Sequence, residues 1–187
     1  MKPGSRAVGI AASDGDREGA SSVLCGAVVR ADRVVDGFSF ARCTVGGTDA
    51  TSAMARLVAA LDREDVQYVL VAGIAPAWFN VVDIGRLAQE TARPVVAVSF
   101  EESAGLEPAI GAAFDGEARE RRLALYRGLP PRRAVEVNGE TVFVRGAGCD
   151  DGAAARVVRA FTPEGGRPEP LRVARLAARG ARRLEQQ

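Results

Sequence analysis

The sequence contains no histidine. This absence excludes Ser-His-Asp and Cys-His catalysis, histidine general bases and the usual zinc sites, because each of them needs an imidazole ring. A metal ion in this protein would therefore be held by carboxylates, carbonyls and water, which favours Mg²⁺ or Mn²⁺ over zinc.

Lysine is almost as scarce, since Lys2 is the only lysine among 25 basic residues. The 24 acidic residues leave a formal net charge of +1, so overall charge provides no argument for binding nucleic acid. Any such argument has to rest on arginines that cluster locally.

Paired cysteines and long apolar runs are also missing. Cys25, Cys43 and Cys149 lie far apart without a CxxC pair, and we predict that they are buried as small apolar residues. No stretch resembles a signal peptide or a membrane span, so we expect a cytoplasmic protein with no membrane partner. The length of 187 residues and the hydrophobic share of 47% are typical of one soluble domain over residues 1–187.

Apolar and β-branched runs at the start of the chain predict three strands. They are RAVGIAA (6–12), SVLCGAVVR (22–30) and RVVDGFSFARCTV (33–45). Only Ala31-Asp32 separates the last two runs, as in a hairpin. The next stretch, 46–61, has helical periodicity and predicts a helix with Thr48 or Asp49 as its N-cap.

Strands and helices then alternate along the chain. VQYVLVAGI and PVVAVSF (94–100) predict strands covered on both faces, and NVVDIGRLAQET between them predicts a helix. The remaining predictions are a helix at 106–127, a hairpin at 134–144 that turns at Asn138-Gly139, a helix at 150–161 and a final helix with Pro170 in its first turn. This order predicts a single-domain α/β, ribonuclease H-like fold, in which helices flank a mixed sheet.

Several short motifs carry a family resemblance. They are VVDG (34–37), GGTDAT (46–51), FNVVDI (79–84), RPVVAV (93–98) and PEPLRVARL (168–176). In these motifs and their order the chain resembles an archaeal endonuclease V-like family whose members are called endonuclease dU. The resemblance covers nearly the whole chain. It implies a ribonuclease H-like fold and a metal-dependent endonuclease that acts on deaminated or altered bases in DNA, which is an activity in DNA repair.

The resemblance also places the expected metal site at two strand ends. Enzymes of this fold hold two metal ions with carboxylates. Relatives carry an acidic residue near the end of the first strand and read Asp-Gly-Ile after the strand that follows the first helix. In this sequence those positions fall on Ala11-Ala12 and Ala72. The family positions at Ala12 and Ala72 are thus vacated, and the resemblance implies a depleted carboxylate site.

Four aspartates are candidates to replace the missing carboxylates. Asp49 and Asp14 are candidate metal ligands, and Asp49, Asp36 and Asp83 are candidate catalytic residues. Three of them have alternative structural roles: Asp49 as an N-cap, Asp83 at a helix N-terminus and Asp14 in a turn.

Candidate nucleic-acid-binding residues follow the vacated strand end and lie on the last helix. Trp78 and Asn80 are placed to contact an unpaired base, or else Trp78 packs the loop as a hydrophobic plug and Asn80 is a helix N-cap. Arg172 and Arg175 belong to an arginine stripe on one face of the final helix. Such a stripe suits phosphates, or it is a solvated face.

Two functions therefore remain open from the sequence. The first is an endonuclease that uses Mg²⁺ or Mn²⁺ in a rearranged site. The second is a non-catalytic member of the same family that needs no cofactor and binds a partner or nucleic acid, DNA or RNA, through Trp78, Arg172 and Arg175.

Overall fold

The computed structural model describes residues 1–13 and 18–187. Asp14, one of the candidate metal ligands, lies outside the described residues. The strands are β1 (Arg6–Ala12), β2 (Ser21–Arg30), β3 (Val35–Thr44), β4 (Val66–Ala72), β5 (Val95–Ser99), β6 (Arg133–Val137) and β7 (Glu140–Ala147). The helices are α1 (Ala50–Ala60), α2 (Pro76–Phe79), α3 (Ile84–Thr91), α4 (Glu107–Ala113), α5 (Gly116–Arg127), α6 (Asp151–Ala160) and α7 (Glu169–Glu185).

The strands form one mixed sheet in the order β3-β2-β1-β4-β5-β7-β6. The three central strands β1, β4 and β5 run parallel, and β2 and β7 pair with them in the antiparallel sense. Val69, Leu70 and Val71 of β4 are fully buried, as expected for a strand with helices on both faces. The predicted α/β fold with a mixed sheet is thereby confirmed.

Two layers of helices supply the core on either side of the sheet. On one side, Leu57 of α1 and Leu87 of α3 join a buried cluster with Ile10 of β1. On the other side, Val157 of α6 and Leu171 of α7 belong to a second buried cluster with β5. Because both sheet faces are covered, the carboxyl edge of β1, β4 and β5 is where a ligand can reach the central strands.

The helix predicted over 106–127 is in fact two helices. Phe114, between α4 and α5, is extended, with φ −136° and ψ 151°, and Gly116 begins α5 with φ +54°. The ring of Phe114 lies 5.1 Å from that of Trp78, centroid to centroid. Helical periodicity does not reveal this break, although the Asp115-Gly116 dipeptide in the sequence is a local turn signal.

Turn and cap predictions have mixed outcomes. Asn138 and Gly139 have φ of +51° and +82°, as the predicted type I′ hairpin turn requires. The helix that was predicted from residue 80 begins only at Ile84, where Asp83 is the N-cap and accepts a hydrogen bond from the Arg86 N–H at 2.9 Å. The prediction of Asn80 as the N-cap of that helix is therefore wrong.

The cysteines behave largely as small apolar residues. Cys25 and Cys43 are buried, and burial raises the pKa of both thiols to about 12. Cys149 is half-buried. None of the helices built by the described residues has the length and apolarity needed to cross a membrane.

Helix α7 lies unusually close to β1. A Cβ added at Gly9 would lie 2.6 Å from the Cβ of Pro170 and closer still to the backbone carbonyl of that residue. Ala174 and Ala178 on the same helix are fully buried, so small side chains let the helix backbone approach the sheet. This approach places Arg175 of α7 near Ala72, at the carboxyl end of β4.

We predict that Gly9→Ala lowers the free energy of unfolding by about 1–3 kcal/mol, because the new methyl group overlaps with backbone that cannot move independently. Urea unfolding measures the change. The matched control is Gly37→Ala in β3, where nothing lies within 4 Å of the added Cβ and where we expect no loss of stability. Equal unfolding midpoints for Gly9→Ala and the wild type would contradict the close seating of α7.

Candidate functional site

Alanines occupy the ends of two neighbouring central strands. Ala72 ends β4, and Ala12 ends the adjacent parallel strand β1. Ala11 and Ala72 both pack with Ala174 of α7, whereas Ala12 packs with the cluster on the opposite sheet face. Because side chains alternate along a strand, Ala11 shares a face with Ala72. Of the two alanines at which the resemblance places the vacated position, Ala11 is thus the one on the face of Ala72, and Ala12 lies on the other face.

A cleft of about 390 Å³ opens beyond the ends of β4 and β5. Its floor includes Ala72, Ala97 and Val98. Four arginines line its walls: Arg132, Arg145, Arg167 and Arg175. Among the described residues that line it, Glu101 is the only carboxylate. The cleft is thus apolar at its base and strongly cationic at its walls.

Two of the arginines come from the β6–β7 side of the cleft. The guanidinium carbon of Arg132 lies 3.8 Å from the ring centroid of Phe143, and its Nη1 donates to the Ser103 carbonyl at 3.2 Å. Arg145 Nη1 donates to the Pro130 carbonyl, and its Nη2 lies 3.5 Å from the Tyr126 hydroxyl oxygen. Burial first, and then the neighbouring Arg145, lower the pKa of Arg132.

The other two arginines come from α7 and from the loop before it. Arg167 stacks 3.8 Å from the ring centroid of Phe100. Its Nη1 is buried and has no hydrogen-bond partner within the described chain. Burial first, and then Arg175 and Arg179, lower the pKa of Arg167. A buried donor without a partner, next to other cations, marks a place where an anion would bind.

Three of these four arginines were not predicted from the sequence. Only Arg175 was a candidate. Arg132 and Arg145 flank the predicted hairpin at 134–144 and lie opposite each other across it, whereas Arg167 lies in a separate segment that no motif connects to them. One signal was present: in the strand run TVFVRGA (141–147), Arg145 shares a face with Phe143. A sheet covered on both faces leaves such an arginine partly buried, which is rare without a functional or structural reason.

Asp49 lies in a different polar cluster, between β3 and α1. Its Oδ1 accepts from the Thr44 N–H at 3.0 Å and from Asn80 Nδ2 at 2.7 Å. Its Oδ2 accepts from the Thr44 hydroxyl at 3.0 Å and from the Thr44 N–H at 3.2 Å. Desolvation acts to raise the pKa of Asp49, but these hydrogen bonds outweigh it, and the pKa lies below its ordinary value.

Asn80 is fully buried and links that cluster to the first helix. Its Oδ1 accepts from the Ala50 N–H at 2.9 Å, and its Nδ2 donates to the Thr44 carbonyl at 2.8 Å. Asn80 therefore caps α1 from a distant loop, while Asp49, at the N-cap position, makes no capping bond with its side chain. The prediction that Asn80 contacts nucleic acid is corrected, since its side chain is inaccessible.

The structure does not bring the remaining candidates to the cleft. Asp36 forms ion pairs with Arg6 at 2.6 Å and with Arg63 at 3.7 Å. Both ion pairs lie near the amino end of β1, at the sheet edge opposite to Ala72. Asp83 caps α3, as described above. Arg172 pairs with Glu169 at 2.6 Å and does not line the cleft.

Trp78 lies on a strained turn that follows the cleft-lining residues 72–75. The backbone of α2 is not that of a right-handed helix at three residues. The φ angles are +49° at Ala77, +52° at Trp78 and +57° at Phe79. The Trp78 side chain packs against Phe79 and Phe114, with ring centroids 6.0 and 5.1 Å away, yet Trp78 remains 41% exposed. The turn therefore presents part of one aromatic surface to solvent.

The described residues do not offer the donor set of a two-metal centre. Among residues 1–13 and 18–187, no group of three or more His, Cys, Asp or Glu side chains is placed to hold a metal ion. Both oxygens of Asp49 are already occupied by hydrogen bonds, and Glu101 lies among four arginines. Mg²⁺ needs several fixed oxygen ligands, so the carboxylate arrangement that the resemblance implies does not fit the described part of the chain.

The mixed seven-stranded sheet with flanking helices is the fold of endonuclease V. The solved structure of Ciona intestinalis endonuclease V, in complex with a 24mer DNA containing an inosine followed by a ribo-adenosine, matches with a TM-score of 0.67 at 14% identity, over 97% of this chain and 87% of that chain. A protein of unknown function from Archaeoglobus fulgidus matches with a TM-score of 0.82 at 28% identity, over 94% of this chain and 97% of that chain.

Sequence comparison identifies the family. The endonuclease dU family pattern matches residues 3–182. A UPF0215 protein from Pyrobaculum aerophilum is 37% identical over 165 residues, which is 87% of either chain. The chain belongs to the endonuclease dU family, and the resemblance stated from the motifs is confirmed.

We predict that Asn80→Ala lowers the free energy of unfolding by about 1–3 kcal/mol. The substitution leaves the buried N–H of Ala50 and the partly buried carbonyl of Thr44 without their partner. Urea unfolding is the measurement. The control is Gln89→Ala, which removes an exposed amide from α3 and is expected to change stability by less than about 0.5 kcal/mol. An equally small effect of Asn80→Ala would contradict its role as the distant cap of α1.

The lowered pKa of Asp49 predicts a pH-dependent effect of Asp49→Asn. A carboxyl whose folded pKa is depressed stabilises the fold above its unfolded pKa of about 3.9, and this stabilisation is lost as the pH falls through the folded pKa. The stability difference between wild type and variant is therefore expected to be constant at neutral pH and to shrink below about pH 4.

Urea unfolding at several pH values between about 3 and 7 tests this linkage. The control is Asp62→Asn on the exposed residue after α1, which should change stability little at neutral pH. A stability difference for Asp49→Asn that stays the same down to the lowest pH would show that the hydrogen bonds do not favour the ionised carboxyl.

Proposed function

We propose that this chain is a nucleic-acid-binding member of the endonuclease dU family that holds phosphate groups with arginines and needs no metal ion to do so. One observation carries the proposal: four arginines line the cleft at the carboxyl edge of β4 and β5, where Ala72 forms part of the floor. In folds of this kind that edge is where ligands bind.

The chemistry of the cleft suits phosphate. A guanidinium is planar and always charged, and its fork of N–H donors matches two oxygens of one phosphate. The apolar floor excludes water from one side of the cleft, which strengthens each charge-assisted hydrogen bond. Stacking on Phe143 and Phe100 holds Arg132 and Arg167 in fixed planes, so binding requires little ordering of these side chains.

Trp78 adds a partly exposed surface for a base in the segment that follows the cleft lining. It follows the cleft-lining segment 72–75 by three residues, and 41% of its surface is exposed. Any of the bases can stack on an indole ring, and such a contact contributes about 1–3 kcal/mol. A cleft for phosphate beside a platform for an unpaired base favours a single-stranded or locally opened nucleic acid. The DNA in the Ciona intestinalis endonuclease V structure supports nucleic acid as the kind of partner.

The second candidate function is a metal-dependent endonuclease for deaminated bases, with Mg²⁺ or Mn²⁺ as its cofactor. The family description, endonuclease dU, favours it, and so does the position of Asp14 just after β1. The described residues alone do not supply the ligands for this reaction, so it depends on Asp14 and its neighbours outside the described part of the chain.

Binding is expected to persist in EDTA and to weaken as salt rises, because arginine–phosphate contacts release counterions. Fluorescence anisotropy with a labelled single-stranded oligonucleotide measures the affinity. Trp78→Ala should weaken binding about 5- to 150-fold, which corresponds to the loss of one stacked base. Trp78→Phe is the matched control, since it keeps an aromatic ring at the same position and should retain most of the affinity.

Incubation with uracil- or hypoxanthine-containing oligonucleotides and Mn²⁺ separates the two candidate functions. We expect binding without cleavage. Cleavage that requires Mn²⁺ and disappears in Asp14→Ala would overturn the proposal and establish the endonuclease. Failure of the oligonucleotide to bind at low salt would also overturn it.

A further inference from the structure

We propose that the arginine cleft selects a phosphomonoester, the group at a phosphorylated end of a nucleic acid or on a mononucleotide, over an internal phosphodiester. This inference rests on the proposed function and names the chemical group that the cleft takes. The observation behind it is the convergence of Arg132, Arg145 and Arg167 on one cleft without carboxylate partners.

The three guanidinium groups form no ion pair with any carboxylate of the described residues. All the ion pairs among the described residues are made by other arginines. Arg132 and Arg145 are held instead by carbonyl and hydroxyl oxygens. These neutral acceptors position the side chains without cancelling their charge. The cleft therefore carries a concentrated positive charge that a ligand can neutralise.

The unpartnered donor of Arg167 indicates where that ligand lies. Its Nη1 is buried and bonds to no described residue, although its guanidinium is fixed against Phe100. Buried charged donors are rarely left unsatisfied in folded proteins. Because burial and the neighbouring arginines both disfavour its charge, an anionic oxygen at this position would relieve both.

The Tyr126 hydroxyl supplies a further donor to the same cleft. Its oxygen accepts from the Leu106 N–H at 3.2 Å and lies 3.5 Å from Arg145 Nη2. The hydroxyl proton is thus directed away from these two donors, and Tyr126 lines the cleft. A phosphate there can meet guanidinium donors from three chain segments and one neutral hydroxyl donor.

The charge of the ligand follows from the charge of the cleft. An internal phosphodiester carries a single negative charge, whereas a phosphomonoester carries about −1.5 to −2 at pH 7, with a second pKa near 6. The cleft holds four arginines against one lining glutamate among the described residues. The dianion neutralises more of this charge and offers three terminal oxygens to the converging donors.

The test compares three single-stranded oligonucleotides of identical sequence that carry a 5′-phosphate, a 3′-phosphate or only hydroxyl ends. We expect one phosphorylated end to bind at least about 10-fold more tightly than the hydroxyl form, and the preference to decline between about pH 7.5 and 5.5 as the phosphate takes up its second proton. Competition by a nucleoside monophosphate and by inorganic phosphate shows whether the phosphomonoester suffices without the rest of the strand.

The variant Arg167→Met separates a binding role from a structural one. Methionine keeps an apolar side chain against Phe100 but removes the charge, so the preference for a phosphorylated end should disappear while the urea unfolding midpoint does not fall. Arg167→Lys, which keeps the charge but not the fork, should retain part of the preference. Arg172→Met on α7, five residues further along the chain, is the control, since Arg172 lies outside the cleft, and it should leave the preference unchanged.

The outcomes distinguish this inference from the proposed function. Equal affinity for all three ends contradicts the inference and leaves nucleic-acid binding intact. Binding of the nucleoside monophosphate but of no oligonucleotide contradicts the proposed function and supports a phosphomonoester site. Loss of end preference in Arg172→Met as well as in Arg167→Met would contradict the assignment of the cleft as the site.

Discussion

The buried guanidinium of Arg122 holds the region around the candidate site together. It is 6% exposed, lies 3.8 Å from the Phe114 ring centroid and donates to the carbonyl oxygens of Phe79, Gly46 and Gly47. Burial lowers its pKa, but the carbonyl dipoles solvate the charge in place of water. Three segments that are distant in sequence thus meet on one charged group, which connects α5 to the loop before α1 and to the end of α2.

The hydrogen bond from Arg122 helps to stabilise the turn with three consecutive left-handed residues. Each residue of Ala77, Trp78 and Phe79 costs roughly 1–2 kcal/mol in that conformation. The carbonyl of Phe79 accepts from Arg122, and the carbonyl of Ala77 accepts from the Gly46 N–H at 2.8 Å. Such strain is sustained where the surroundings determine the conformation. The turn thereby presents a partly exposed tryptophan on an ordered backbone. A side chain that is already ordered loses less conformational entropy when a base stacks on it.

The sheet, most of its helices and the family were predictable from the sequence, because apolar runs, turn residues and motif order are local signals. The break at Phe114 was not predicted, although the Asp115-Gly116 dipeptide that follows it is a local turn signal. The role of Asn80 was not predictable, because it depends on a partner far along the chain: Asn80 caps Ala50 in another helix. The arginine cleft was missed for the same reason. Arg132 and Arg145 flank the predicted β6–β7 hairpin, but they meet Arg167 and Arg175 only in the folded chain, and arginines are too common in this sequence to stand out singly.

The two polar clusters near the carboxyl edge differ in what they leave unsatisfied. Asp49 accepts four hydrogen bonds from within the fold, whereas Arg167 keeps a buried donor without a partner in the described chain. A carboxylate-lined metal centre concentrates negative charge and needs a cation; an arginine-lined cleft reverses the sign and needs an anion. The alanine at position 72 suits an anion. A carboxylate at the cleft floor would neutralise part of the positive charge of Arg167 and Arg175, and it would occupy space that a phosphate needs. Under the proposed function, the alanine at the cleft floor and the arginines of its walls therefore form one electrostatic feature.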